Sequence, residues 1–197
     1  MNYKNPYEKL SGKLNNRKLV NAGFSEKTYD TGSVKLNYVV GPKNGPSLLL
    51  IPAQMGMWES YKKVLLPLSK IFQVYAIDVR GHGKSSWTPG HYSWKIIGED
   101  IKIFIENVIK QKVIISGNSS GGIIALWCAA NIPEYVSGIV LEDAPIFSTE
   151  MPRDLATIRG SLSSARAAIV AFTRLCALDE PWLFARTSVI PTLSNTA

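Results

Sequence analysis

The order of elements along this chain of 197 residues predicts an α/β fold, a mostly parallel sheet with helices on both faces. Three observations carry that prediction. Short continuous apolar runs, SLLLI, FQVYAID, KVIIS and VSGIVLED, recur along the chain, and runs of this kind suit strands covered on both sides. Between them lie segments of helical length with apolar residues at three- and four-residue spacing. The resulting alternation of strand and helix is what right-handed crossovers produce when they build a parallel sheet.

The elements follow in order. Residues 1–20 are a polar lead-in. FSEKTYDT and VKLNYVV alternate apolar and polar residues around Thr31-Gly32-Ser33, the pattern of a half-buried hairpin, so the sheet should begin antiparallel. PKNGP is a turn cluster, and SLLLI is the first buried strand. From Trp58 to Ile71 the positions Trp58, Tyr61, Val64, Leu65, Leu68 and Ile71 read as one face of a helix, with Pro67 as a possible kink. FQVYAID is the second buried strand. SWKIIGEDIKIFIENVIK is a helix with Ile97, Ile101, Phe104 and Val108 along one face. KVIIS, the small apolar helix SGGIIALWCAAN and the strand VSGIVLED complete a core over residues 21–145. Beyond it, residues 146–197 lose lysine and become rich in Ala, Leu, Ser and Arg. They read as a helical, lid-like segment over the sheet edge.

Composition narrows the function classes. An apolar fraction of 46% and a charged fraction of 19% describe an ordinary globular domain rather than a disordered chain. The polar start and the lack of a long apolar run predict a soluble cytoplasmic protein that does not engage a membrane. Cys128 and Cys176 have no metal-ligand spacing and read as reduced core residues. The net charge of +7 does not indicate nucleic acid. All fifteen lysines lie at or before Lys112, scattered along amphipathic segments rather than gathered into a basic stripe with interleaved aromatics. No phosphate loop, dinucleotide fingerprint or metal spacing is present, so no cofactor is expected.

The strongest chemical signal is Gly117-Asn118-Ser119-Ser120-Gly121, placed between the strand KVIIS and a helix. A G-x-S-x-G in that context describes a nucleophile elbow, in which a serine on a strained turn exposes its hydroxyl above the sheet. The competing explanation is a glycine-rich turn with Ser119 capping the helix. Two further stretches join the pentapeptide. LNYVVGPKNGPSLLLIPAQMGMWESY resembles the second and third strands and oxyanion loop of α/β-hydrolases, and VYAIDVRGHGKSS resembles the fourth strand and the D-x-R-G-x-G-x-S loop after it. From about Phe24 to Pro145 the chain is thus similar to the serine-nucleophile branch of that family.

The resemblance implies that Ser119 is the nucleophile and that the backbone amides of Ser120 and Gln54 are the oxyanion donors. Pro52-Ala53 stands where the family usually has His-Gly. Asp78, Arg80, Gly81 and Gly83 match a loop of structural role, and His82 belongs to that turn. A serine at the elbow implies acyl transfer to water from esters, lactones or related small carbonyl compounds, whereas an aspartate would imply an alkyl-enzyme. Asp143, at the end of VSGIVLED, stands where some members carry the triad acid; a turn or capping role is its simpler reading, and Glu142 is the weaker alternative.

The family's general base, a histidine late in the chain, has no counterpart: His82 and His91 both precede Ser119. About fifty residues follow the fourth parallel strand, while each remaining βα unit of the family needs about 30. The chain therefore reads as C-terminally truncated, with SVIPTLSNTA approaching the seventh strand. Two expectations follow. One is a serine hydrolase impaired in this form; the other is a non-catalytic protein that binds a small molecule or partner in the same pocket. Without a seventh strand the edge of VSGIVL would be bare, so self-association through that edge is also expected.

Overall fold

The fold is seen in a computed structural model that describes residues 5–145 and 168–172. A 3-10 turn (Glu8–Leu10) and a short helix α1 (Arg17–Asn21) lead into strands β1 (Ser25–Asp30), β2 (Lys35–Val40) and β3 (Ser47–Ile51). A 3-10 helix (Trp58–Tyr61) runs into α2 (Lys62–Leu68), followed by β4 (Gln73–Ile77) and α3 (Trp94–Phe104). The last part of the core comprises β5 (Val113–Asn118), α4 (Ser120–Asn131) and β6 (Val136–Glu142), and β7 (Ala168–Phe172) adds a final strand.

The strands form one sheet in the order β1-β2-β4-β3-β5-β6-β7. β1 pairs antiparallel with β2, Asp30 opposite Lys35, and β2 pairs antiparallel with β4. From β4 onward every pairing is parallel. The hairpin start and the parallel remainder are those the apolar patterning predicts.

β3 shows how one strand serves two cores. All five of its residues are buried. Leu48 and Leu50 face Leu19, Trp58, Leu65 and Val74. Leu49 and Ile51 face Ile77, Ile101, Phe104 and Ile115. Alternate side chains point to opposite faces of a strand, so a strand that buries both sets needs cover on both sides. α1 and α2 cover one face, and α3 and α4 the other. α3 begins where the Ser93 hydroxyl accepts the Ile96 amide, a standard cap. It continues as a π-helical turn over Ile105–Ile109 that ends at Lys110 in the left-handed region. The Trp58–Ile71 segment is shorter than its spacing predicts. Pro67 stands in the last turn, where its missing N–H leaves the Lys63 carbonyl without its helical donor, and the helix ends at Leu68.

The segment after Pro145 departs from expectation. Within the stretch read as helical and lid-like, Ala168–Phe172 is a strand, parallel to β6 with Gly138 opposite Ala168 and Glu142 opposite Phe172. The run Ala-Ile-Val-Ala-Phe carries no charge and includes two β-branched residues, which suits a strand as well as a buried helix. The open edge of β6 decides between them, since pairing satisfies a row of backbone groups. The edge expected to be bare, and to drive self-association, is therefore covered from Gly138 to Glu142. The rest of the expected helical segment, including Cys176 and SVIPTLSNTA, lies outside the described residues.

Candidate active site

β3 leads the chain to β4 on one side of it, while β5 lies against its other side. The crevice outside the carboxyl ends of β3 and β5 is thus a topological switch point, the usual place for a ligand in an open α/β sheet. The loop after β3, the turn after β5 and the end of β6 meet there.

Ser119 follows β5 directly, with φ 50 and ψ −115. Such a conformation costs a non-glycine residue about 1–3 kcal/mol and persists only when its surroundings impose it. The surroundings are backbone. A Cβ on Gly117 would lie 2.1 Å from the Gly121 carbonyl oxygen, and one on Gly121 would lie 2.2 Å from the Ile51 carbonyl oxygen. A Cβ on Gly122 would lie 2.5 Å from the Cβ of Ala144. Glycine at these positions lets strand, helix and the neighbouring loop touch. The Ser119 amide donates to the Glu142 carbonyl at 2.8 Å, and the Gly122 amide donates to the Ser119 carbonyl at 2.9 Å. Ser119 occupies the cap position of α4, yet its side chain makes no capping hydrogen bond. The capping explanation therefore fails, and among the described residues the hydroxyl has no hydrogen-bond partner.

The loop after β3 lies against this turn through Gly121, which contacts the carbonyls of Ile51 and Pro52. Within the loop the Gly56 amide donates to the Ala53 carbonyl at 2.8 Å. Met55, at φ 63, takes the third place of that turn, as in a type II turn. Gln54 is exposed. Among the described residues neither its amide nor that of Ser120 has a protein acceptor. The two expected oxyanion donors thus stand on adjacent segments with their N–H groups unused, despite Pro52-Ala53 in place of His-Gly.

Asp143 lies just past the end of β6, beside the strand that carries the elbow. It is exposed, with φ 52 and no carboxylate hydrogen bond among the described residues. Glu142 is engaged instead. Its carboxylate accepts the Ser116 hydroxyl, and its carbonyl accepts the Asn118 side-chain amide at 3.2 Å as well as the Ser119 amide. Among the described residues no histidine bonds to Ser119. The His82 ring Nδ1 meets the Arg80 carbonyl oxygen at 3.0 Å, in the turn after β4.

Several contributors are not visible in the sequence. Tyr61, read there as an apolar helix position, donates its hydroxyl to the Ile51 carbonyl at 2.9 Å. Burial, and then the nearby Glu142 charge, push the phenol far above its ordinary range, so it remains a donor. Asp78 is fully buried. Its carboxylate accepts the Trp58 amide at 2.7 Å, the Lys84 amide at 2.9 Å and the Asn37 side-chain amide at 2.9 Å. Burial raises its pKa to about 6, against the lowering effect of the bonds from Lys84, Trp58 and Asn37. Arg80 fills the structural role expected of it, pairing with Asp100 at 2.7 and 2.8 Å and bonding to Ser33 and Thr88. Among the described residues no cluster of three or more His, Cys, Asp or Glu forms a metal site.

Comparison with known proteins agrees with this architecture. The family described as alpha/beta hydrolase fold matches residues 46–169. Epoxide hydrolase 4 of Mus musculus is 28% identical over 120 residues, 59% of this chain and 33% of that protein. The 2-(acetamidomethylene)succinate hydrolase of Mesorhizobium japonicum is 28% identical over 128 residues, 64% of this chain and 46% of that protein. A solved hydrolase from Pseudomonas aeruginosa PA01 superposes with a TM-score of 0.58 at 28% identity, over 60% of this chain and 46% of that one. The alignments thus span between a third and a half of these relatives' lengths.

Proposed function

Because this chain belongs to the α/β-hydrolase fold family, we propose that it hydrolyses small carbonyl substrates, such as esters and lactones, through an acyl-enzyme on Ser119. The Ser119 oxygen attacks the carbonyl carbon as its proton passes to solvent water, which later protonates the leaving alkoxide, and the tetrahedral oxyanion accepts hydrogen bonds from the Ser120 and Gln54 amides. Collapse expels the alcohol, and water then releases the acid. The observation that supports this reading is the free Ser119 hydroxyl on a strained elbow, flanked by two unused amides. Serine rather than aspartate favours acyl transfer over an alkyl-enzyme, although one relative is named an epoxide hydrolase. Asp143 is the acid this reading assigns, supported by its exposed place directly after Glu142, whose carbonyl holds the Ser119 amide. Among the described residues no helix is long and apolar enough to cross a membrane. A cytoplasmic setting is the companion expectation, supported by the buried free thiol of Cys128.

One observation favours a second reading, a pocket that binds without turnover: among the described residues no base reaches Ser119, and the His82 ring is engaged with Arg80. Hydrolysis of a p-nitrophenyl ester separates the two. Weak turnover that disappears in Ser119→Ala is expected, since oxyanion donors alone retain a residue of about 10³–10⁴-fold catalysis over water when a triad member is missing. Turnover equal in the parent and Ser119→Ala would refute the enzyme reading. Turnover at ordinary esterase rates would mean that a base does act, and its loss in His82→Ala would identify that base.

A further inference from the structure

The loop that carries Gln54 is anchored at three places. At its start, the Tyr61 hydroxyl holds the Ile51 carbonyl. In the middle, Gly121 lies against the carbonyls of Ile51 and Pro52. Where the loop turns into the 3-10 helix, the Trp58 amide is held by the Asp78 carboxylate at 2.7 Å, the shortest of the three bonds to that group. That carboxylate is itself fixed. The Asp78 amide donates to the Asn37 carbonyl at 2.8 Å, and the Ser85 hydroxyl donates to the Asp78 carbonyl at 2.6 Å. Gly83 packs so closely that a Cβ there would lie 2.4 Å from the carboxyl carbon. The glycine thus leaves the carboxylate the space that any side chain at 83 would take.

We propose that Asp78 is a positioning residue for the oxyanion site: its buried carboxylate holds the exit of the Pro52–Trp58 loop so that the Gln54 amide is presented beside Ser119. The inference rests on the reading of Ser119 as the nucleophile. A buried carboxylate with three N–H donors is expensive to keep ionised in an apolar interior unless those donors are aimed at it. Two of the three are backbone amides of loops that have no ladder hydrogen bonds of their own, Trp58 and Lys84. The carboxylate therefore substitutes for secondary structure in two loops at the carboxyl ends of the strands. Only one of these loops carries an oxyanion donor. The ionisable groups facing Asp78 are Glu26 of β1, which shares the Asn37 amide, Glu59 of the 3-10 helix and Lys84 of the following turn. Lys84 in turn pairs with both glutamates. None of these groups replaces the bond to the Trp58 amide.

The test uses the full chain and three variants. Asp78→Asn keeps the shape, but with its oxygen left to the two donors Asn37 and Lys84 it turns an NH2 group toward the Trp58 amide. Gly83→Ala displaces the carboxylate without altering it. Thr88→Ala removes a bond to Arg80 in the same turn and leaves Asp78 and its three donors in place. In the first two, the Trp58 amide resonance is expected to move upfield, and exchange at the Gly56 amide, which closes the turn holding Gln54, should accelerate about tenfold, with β5 amides unchanged. The Ser119-dependent hydrolysis of p-nitrophenyl acetate should fall about tenfold in kcat with KM little changed, the signature of a lost transition-state contact. Thr88→Ala should move neither Gly56 exchange nor kcat. The proposal is overturned if the Trp58 resonance shifts while Gly56 exchange and kcat stay at parental values, or if Thr88→Ala matches Asp78→Asn in all three readouts. Should Asp78→Asn fail to fold, Gly83→Ala carries the same comparison. A parent whose hydrolysis equals that of Ser119→Ala would refute the enzyme reading, and Gly56 exchange would then decide by itself whether Asp78 holds the loop.

Discussion

The turn after β5 and the turn after β4 stand at the same end of one sheet, yet they are stabilised in opposite ways. The turn after β4 is held by polar side chains whose needs are met. Arg80 spends its guanidinium on Asp100, Ser33 and Thr88, and Asp78 gathers three donors. The turn after β5 is held chiefly by backbone pressed on backbone through Gly117 and Gly121, with the Ser119 amide on the Glu142 carbonyl, and among the described residues it leaves the Ser119 hydroxyl and the Ser120 amide unused. A site that must act on a substrate needs free groups in a fixed place. Steric confinement supplies the fixed place without consuming the groups, whereas hydrogen-bonded anchoring consumes them. The two modes should respond differently to substitution.

The largest expected effect is on the anchored turn. Asp100→Ala would leave Arg80, 6% exposed, as a buried cation without its bidentate partner, a loss of about 3–5 kcal/mol, measurable by urea denaturation. Stability but not the shape of the elbow should suffer. The confined turn is tested by Gly117→Ala, whose methyl meets the Gly121 carbonyl. Overpacking of this kind costs about 1–3 kcal/mol, and here the displaced atoms belong to the elbow, so Ser119-dependent hydrolysis should fall more steeply than stability.

The charge inside the anchored turn gives a pH-dependent test. Burial lifts the pKa of Asp78 in the folded protein to about 6, against an ordinary 3.8. A carboxyl whose pKa is raised on folding binds its proton more tightly in the folded state. Its contribution to stability is therefore full below the unfolded pKa and is lost as pH rises through about 6. The parent should lose stability relative to Asp78→Asn between about pH 4 and pH 7, by on the order of 3 kcal/mol at about 1.4 kcal/mol per unit. Melting curves of the two proteins across that range would check it, and a constant difference would mean that the carboxylate is not perturbed. The smallest effect is expected at the strained residue itself. Ser119→Gly should relieve part of the strain and raise stability by about 1 kcal/mol, while removing the nucleophile.

Much of this architecture was legible in one sequence because it rests on local rules. The hairpin declared itself by alternation around Thr31-Gly32-Ser33, and the buried strands by continuous apolar runs. The elbow declared itself by Gly117 and Gly121 flanking a serine between strand and helix. Each of these is a short-range pattern with a physical cause in backbone sterics or burial. β7 was not legible: Ala168–Phe172 is as apolar as a helix interior, and what made it a strand was an unpaired edge of β6 nearly thirty positions earlier in the chain.

The same division runs through the site. Residue types alone determined that a serine would stand on a strained turn, since only glycine at 117 and 121 admits the backbone contacts observed. Tertiary structure decided what that serine has for neighbours. Tyr61 looked like one more apolar position of a helix, and only folding brought its hydroxyl to the Ile51 carbonyl. Asp78 looked like a turn residue, and only folding placed its carboxylate under the Trp58 amide, twenty positions away. Periodicity and turn chemistry act over a few residues and are written in the chain, whereas the satisfaction of a buried polar group depends on whichever segment arrives beside it, which no local pattern specifies.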